Sequence, residues 1–72
     1  MNTAKIELIL SHVEERMRYE LQMLIREFLP FAEFEAEAYD VRIIVNHHDI
    51  RTALYKLVGH RLTKFAKSEH NI

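Results

Sequence analysis

The sequence has no cysteine or tryptophan, and only one proline and one glycine among its 72 residues. Without cysteine it can form neither a disulfide nor a thiolate metal site, and it lacks a thiol nucleophile. The absence of cysteine fits a reducing compartment. In so short a chain, apolar burial and lost conformational entropy nearly cancel. With disulfides excluded, we expect the chain to be reinforced by forming a homodimer.

Long apolar runs are also missing, and residues 8–10 and 43–45 are typical of those present. A membrane-spanning helix needs about 20 predominantly apolar residues, and a signal peptide needs an apolar core region. The sequence therefore predicts a cytoplasmic protein without a membrane partner. Its content of 49% hydrophobic and 29% charged residues is typical of globular domains. We expect a single small domain over residues 1–72, with a frayed tail at residues 68–72.

The net charge of −1 conceals an asymmetry along the chain. Residues 1–40 contain nine acidic and four basic side chains, a net charge of −5. Residues 41–72 contain two acidic and six basic side chains, a net charge of +4. The two halves can therefore attract one another, either within one molecule or between molecules.

A helix is predicted over residues 47–67. Asn46 is the expected N-cap, and Asp49 would complement the helix dipole in the first turn. Val45 and Ile50 have the spacing of a hydrophobic staple across the cap. Apolar residues then recur at helical spacing at Ile50, Leu54, Leu57, Val58, Leu62 and Phe65.

The first thirty residues allow two interpretations. Apolar residues recur every three or four positions from Ile6 to Phe28, which is compatible with one helix over residues 3–29. Such a helix would be about 40 Å long and would overhang a compact chain of this size. Alternatively, residues 5–10 alternate as a strand, and Ser11 with Glu14 forms a capping box for a helix ending near residue 29. We favour the strand because it explains Leu8 and the capping box together.

The middle of the sequence predicts β structure. Tyr39, Val41, Ile43 and Val45 fall on one face of an extended segment. Residues 33–38 alternate too and could either continue this strand or form its antiparallel partner, although no Asn-Gly or Gly-Gly marks a hairpin. The predicted fold class is α+β, in the order β-α-β(β)-α, with two helices on one face of a short sheet. The alternative is a mostly α-helical hairpin dimer.

Few residues suggest catalysis. His47 and His48 precede Asp49, but neither histidine has the i+4 partner of helical zinc sites, so we predict no metal and no cofactor. Two serines and the single Gly59 offer neither a nucleophile with its base nor a phosphate-binding loop. The sequence therefore predicts a protein that is not an enzyme.

Two segments are candidates for binding a partner. In the predicted second helix, residues 50–68 contain no acid, and one face carries Lys56, His60, Lys64 and Lys67, flanked by Arg51. Such a row can contact phosphates or an acidic protein surface, or can simply be solvated. In residues 27–40, five acids and no base are interleaved with aromatic residues that are common at interfaces, including Phe31, Phe34 and Tyr39.

The sequence thus favours a non-enzymatic regulatory or adaptor protein that binds another protein and forms a homodimer. The alternative is a small nucleic-acid-binding protein that uses the basic face of its C-terminal helix. Neutral overall charge and the acidic first half weigh against general affinity for nucleic acid.

Overall fold

The computed structural model describes residues 2–67, so the tail predicted at residues 68–72 lies outside the described residues. The main elements are, in chain order, β1 (Thr3–Ile9), α1 (Glu15–Phe28), β2 (Glu33–Glu37), β3 (Asp40–Asn46) and α2 (Ile50–Gly59). Short 3-10 turns at His47–Asp49 and Thr63–Phe65 flank α2. The α+β prediction and the order β-α-β-β-α are confirmed, and the mostly α-helical alternative was wrong.

The three strands form one antiparallel sheet in the order β1-β3-β2. Because β1 and β2 both pair antiparallel with β3, they run in the same direction, and α1 makes the crossover between them. Ile43 at the centre of β3 pairs with Ile6 of β1 and with Phe34 of β2. The predicted antiparallel partner of the third strand is therefore β2.

Alternating burial explains why residues 5–10 form a strand rather than the start of a long helix. Ile6 and Leu8 are buried, whereas Lys5 is exposed and Glu7 lies on the opposite face of the sheet. Since side chains alternate across a strand, this pattern buries one side of β1 completely. The strand interpretation of this segment is confirmed.

One hydrophobic core lies between the sheet and the two helices. Helix α1 contributes Ile25, and α2 contributes Ala53 and Leu57, all of which contact the same face of the sheet. Burying a side chain of leucine or isoleucine size stabilises a fold by about 1.5–3 kcal/mol. The prediction of two helices on one face is confirmed. Neither helix in the described part of the chain is long and apolar enough to cross a membrane.

Helix α1 begins later than its predicted capping box. Ser11 lies in a turn that is closed by a 3.0 Å hydrogen bond from the Val13 N–H to the Leu10 carbonyl. The N-cap position is Glu14, whose side chain makes no capping hydrogen bond. The capping box was therefore wrong, but α1 ends at Phe28, next to the predicted end before Pro30.

The predicted second helix was too long. Residues 47–67 contain only the ten-residue α2 and the two 3-10 turns. Asn46 takes the N-cap position of the first of these turns, but its side chain makes no capping hydrogen bond. The predicted hydrophobic staple agrees better with the structure, because Val45 is buried and Ile50 packs against the core.

A Schellman motif ends α2. The Leu62 N–H donates to the Leu57 carbonyl at 2.8 Å, and the Arg61 N–H donates to the Val58 carbonyl at 2.9 Å. This geometry places Arg61 in the left-handed region with φ = 60°, a position that usually holds glycine. The sole glycine, Gly59, stands two residues too early to mark the turn.

Tertiary packing accounts for the early end of α2. After the turn, Leu62 is buried in the core, and Ala66 forms a bridge with Leu8 at the outer edge of β1. The Lys67 N–H donates to the Glu7 carbonyl at 2.8 Å. A continuous helix would leave this edge uncovered. We call residues 60–67 the C-terminal arm.

The β2–β3 hairpin also lacks the expected turn residues. Its two-residue loop consists of Ala38 and Tyr39, and Ala38 has φ = 53°. Tight hairpin turns need a positive φ at this first position and usually take glycine or asparagine. An alanine gives no such signal in the sequence.

The α2 end offers a test of backbone strain. We expect Arg61→Gly to raise the free energy of unfolding by up to about 1 kcal/mol, because glycine adopts the left-handed conformation without a Cβ clash. Arg61→Ala removes the same side chain but keeps the Cβ, so it should bring no gain. Urea denaturation of the three proteins measures the difference, and equal stability of the two variants would contradict the Schellman assignment.

Candidate interaction surface

The outward side of α1 carries exposed apolar residues. Ile25 and its neighbours face the sheet, so the helical repeat turns Tyr19 and Met23 towards solvent, where they are 67% and 55% exposed. They lie one turn apart and are therefore adjacent on the helix surface.

Helix α2 repeats this arrangement. Ala53 and Leu57 face the core, while Leu54, Tyr55 and Val58 are 42%, 70% and 57% exposed. Single exposed apolar residues are normal, but a contiguous group on a ten-residue helix is a candidate interaction surface. We call the outward surface of α1, α2 and the C-terminal arm the helical layer.

The two helices of this layer carry different charges. Arg51 and Lys56 are the two charged residues of α2, and both are basic. On the outside of α1, Tyr19 and Met23 share a shallow depression of about 390 Å³ with Leu24, Glu20 and Glu27. The charged residues that line this depression are both acidic. Arg16 lies on the same helix, one turn before Glu20.

A groove of about 400 Å³ runs between α1 and the C-terminal arm. Its apolar residues are Val13, Met17, Leu21, Leu62 and Phe65. Its polar residues are His12, Glu14, His60, Arg61 and Lys64. A second depression, of about 350 Å³, continues it past Phe65 and Lys64 towards β1. The groove therefore has an apolar interior, and its polar residues are two basic side chains, two histidines and one glutamate.

The Schellman turn positions the groove. It brings His60 onto α1, where the imidazole stacks on Phe28 with ring centroids 4.1 Å apart and planes inclined by 6°. The same turn directs Leu62 into the core and leaves Arg61 and Lys64 beside the groove. The local backbone geometry at Arg61 thus decides where three polar side chains of the arm lie.

The opposite face of the sheet, which we call the open face, holds a charged cluster around Arg42. Its guanidinium lies 3.2 Å from Glu7, 3.0 Å from Glu35 and 3.6 Å from Glu37. The register explains this grouping, because Arg42 pairs with Glu7 on one side and with Glu35 on the other. Lys67 adds a contact of 3.5 Å to Glu7. The cluster therefore links all three strands and the C-terminal arm.

The cluster changes the proton affinity of its members. The hydrogen bond from Arg42 lowers the pKa of Glu7 below its ordinary value, with a further lowering from Lys67. Hydrogen bonds to Glu35 and Glu7 raise the pKa of Arg42. Both shifts favour the charged forms of the groups, as expected for ion pairs.

The predicted basic row is not one helix face in the structure. Arg51 and Lys56 lie on α2, whereas His60 and Lys64 line the groove. Lys67 lies beyond the second 3-10 turn and contacts Glu7 near the open face. The premise of a continuous stripe was wrong because α2 ends at Gly59, but a role of these residues in partner binding stays a prediction.

The aromatic residues predicted to bind a partner lie around β2. Phe31 is exposed before the strand. The guanidinium of Arg26 lies 5.0 Å from the centre of the Phe34 ring, and that of Arg18 lies 4.5 Å from the centre of the Tyr39 ring. Phe34 and Tyr39 therefore help to hold α1 against β2 and its hairpin, in addition to any role at an interface.

Sequence reasoning missed several residues of the helical layer. His12 lies within the span of the predicted capping box, and Arg61 lies within the predicted second helix, where neither received a role in binding. Tyr19, Met23 and Tyr55 received no role, although each lies off the apolar stripe of its helix. An apolar residue on the polar side of an amphipathic pattern is the signal that could have identified them.

The histidine pair near the start of α2 forms no multidentate site. The Nε2 atom of His48 lies 3.7 Å from the carboxylate of Asp49. Within residues 2–67, no three histidine or carboxylate side chains come together as a metal site would require.

Comparison of the chain with protein-family models, with curated proteins and with solved structures found no match. What this chain does therefore has to be inferred from its own residues and their arrangement.

The Arg42 cluster predicts a pH dependence of stability. The pKa of Glu7 is lower in the folded chain than in the unfolded chain, so its contribution is present above about pH 4.3 and is lost as the pH falls through the folded pKa. Glu7→Gln should therefore be less stable at neutral pH and should lose less stability on acidification. Glu33→Gln is a control on the same face, and thermal unfolding between pH 3 and pH 7 measures all three proteins. An acid response of Glu7→Gln identical to that of the wild type would contradict this role.

Proposed function

We propose that this chain is a non-enzymatic regulatory or adaptor protein of the cytoplasm that acts by binding another protein through its helical layer. The proposal also includes formation of a homodimer. The observation that carries the proposal is the exposure of Leu54, Tyr55 and Val58 together on α2, beside a groove with an apolar interior.

The composition of this surface supports a protein partner. Tyrosine, methionine and arginine are enriched in protein interfaces, and aromatic or arginine residues often dominate the binding energy. Tyr19, Met23, Tyr55 and Arg51 all lie on the helical layer and are exposed. Apolar contacts of this kind would supply affinity, and the charges around them would supply orientation.

A nucleic-acid partner receives less support from the same geometry. The basic side chains of residues 51–67 are divided between α2, the groove and the open face, and they do not form one stripe. The open face carries Glu7, Glu35 and Glu37, which would repel phosphates. Residues 2–67 thus offer phosphates no continuous basic surface to follow.

A substitution at the centre of the α2 surface tests the proposal. We expect Val58→Asp to abolish binding to partner proteins, because it places a carboxylate within the exposed apolar group. Thr3→Asp introduces the same carboxylate on the exposed end of β1 and should leave binding unchanged. Proteins captured from the native host by the wild type and by both variants are identified by mass spectrometry, and the recovered partner is then titrated in purified form.

Two outcomes would contradict the proposal. Equal affinity of the purified partner for the wild type and for folded Val58→Asp would place the interface elsewhere. Binding of generic DNA or RNA by the wild type, with an affinity that falls steeply as salt rises, would instead favour the nucleic-acid function, because counterion release has this signature.

A further inference from the structure

The helical layer is complementary to itself. On α1, Tyr19 and Met23 are accompanied by Glu20 and Glu27 in the outer depression. On α2, the exposed apolar residues are accompanied by Arg51 and Lys56. Arg16 on the same side of α1 offsets one of these two acids, whereas α2 has no acidic residue. Each helix therefore offers apolar surface with the net charge that the other helix would attract.

The fold allows two copies to use this complementarity at once. Both helices cover the same face of the sheet, so their outward sides form one surface. When two such surfaces face each other about a two-fold axis that runs between the helices, each α1 lies opposite the α2 of the other copy. A two-fold contact of this kind is closed, and it forms the same contact between α1 and α2 twice.

We propose that a second copy of this chain covers the helical layer, with α1 of each copy packed on α2 of the other. This inference rests on the proposed function and names a second copy as one occupant of that surface, so a different partner protein would bind it in competition with the dimer. The exposed apolar groups of both helices would become buried, and the acidic side chains of each α1 would face the basic side chains of the opposite α2.

Two other ways of pairing two copies are electrostatically unfavourable. Packing α2 on α2 would bring Arg51 and Lys56 of both copies together. Antiparallel pairing of two β2 edges about Glu35 would place Glu35 opposite Glu35 and Glu33 opposite Glu37 on one face. Acidic side chains on an edge strand are a recognised barrier to edge-to-edge association.

The dimensions of the molecule are sufficient for such a dimer. It measures 33 × 30 × 22 Å, and the shortest dimension fits the thickness of one sheet with one layer of helices. The broad face is therefore large enough for the about 800 Å² per partner that a typical stable interface buries.

Charge reversal on each helix tests the arrangement without requiring its exact register. Variant A is Glu20→Lys with Glu27→Lys, which makes the outer depression of α1 basic. Variant B is Arg51→Glu with Lys56→Glu, which makes α2 acidic. All four residues are exposed, so both variants should fold, as circular dichroism will show. Each variant alone places like charges across both helix contacts, and its dimer affinity should fall at least about tenfold.

Mixing the two variants gives the decisive measurement. In an A–B pair, the basic α1 of A faces the acidic α2 of B, and the basic α2 of A faces the acidic α1 of B. Light scattering should show the wild type at twice the chain mass of 8.6 kDa, each variant as a monomer, and the equimolar mixture as a dimer. A single chain carrying all four substitutions should also be a dimer.

A control separates this result from general attraction between proteins of opposite net charge. Glu33→Lys with Thr3→Lys and Asn46→Lys changes the net charge as much as variant A does, but at exposed positions on the open face that lie outside the Arg42 cluster. This protein should remain a homodimer like the wild type, and it should bind variant B more weakly than variant A does.

Three results would overturn the inference. They are a monomeric wild type at high concentration, folded variants that stay dimeric, and an A–B mixture that remains monomeric. The proposed function fails on a different result, namely a partner protein that binds folded Val58→Asp as well as it binds the wild type. A monomeric wild type that still loses its partner through Val58→Asp would refute the dimer and leave partner binding through the helical layer standing.

Discussion

Burial of one face of the β1–β3 pair is the constraint on which the rest of the structure depends. Leu8 and Ile43 have no exposed surface, and both helices lie where they cover these residues. A short chain without disulfides has little other means of stabilisation than such a core. The same apolar face and its edge are covered by three elements, namely α1, α2 and the C-terminal arm.

That constraint leaves two very different outer surfaces. The open face of the sheet carries alternating polar residues, which the register collects into the cluster around Arg42. Those charges largely satisfy one another and link β1, β2 and β3. On the helical layer, in contrast, apolar residues and charges remain exposed after the core is complete. The helical layer is therefore the surface that we propose for binding.

Charged side chains are distributed differently on the outward sides of the two helices. Acidic side chains accompany the apolar group on α1, and basic side chains accompany the one on α2. Within one molecule these outward charges face solvent and do not pair in the described part of the chain. Between two molecules related by a two-fold axis they would face each other, which connects the composition of the chain with a specific mode of association.

Local patterns in the sequence were sufficient for the fold class, because alternation and helical spacing reflect which side of an element is buried. They identified β1, β3 and the positions of both helices, and they gave the end of α1 to within one residue. They did not predict the turn at Ser11, the two-residue loop of the β2–β3 hairpin or the residue at which α2 ends. Ala38 and Arg61 adopt left-handed conformations that their residue types disfavour, and tertiary contacts impose them.

The interaction surface depended even more on tertiary structure. Sequence reasoning placed Lys56, His60, Lys64 and Lys67 in one row, since a continuous helix would align them. The Schellman turn divides that row between α2, the groove and the open face. The sequence by itself determined which faces had to be buried and how charge is distributed along the chain. Only the tertiary structure decided which exposed side chains lie next to one another. The reason is that α2 ends early, so that the C-terminal arm can cover the edge of β1 and pack back onto α1.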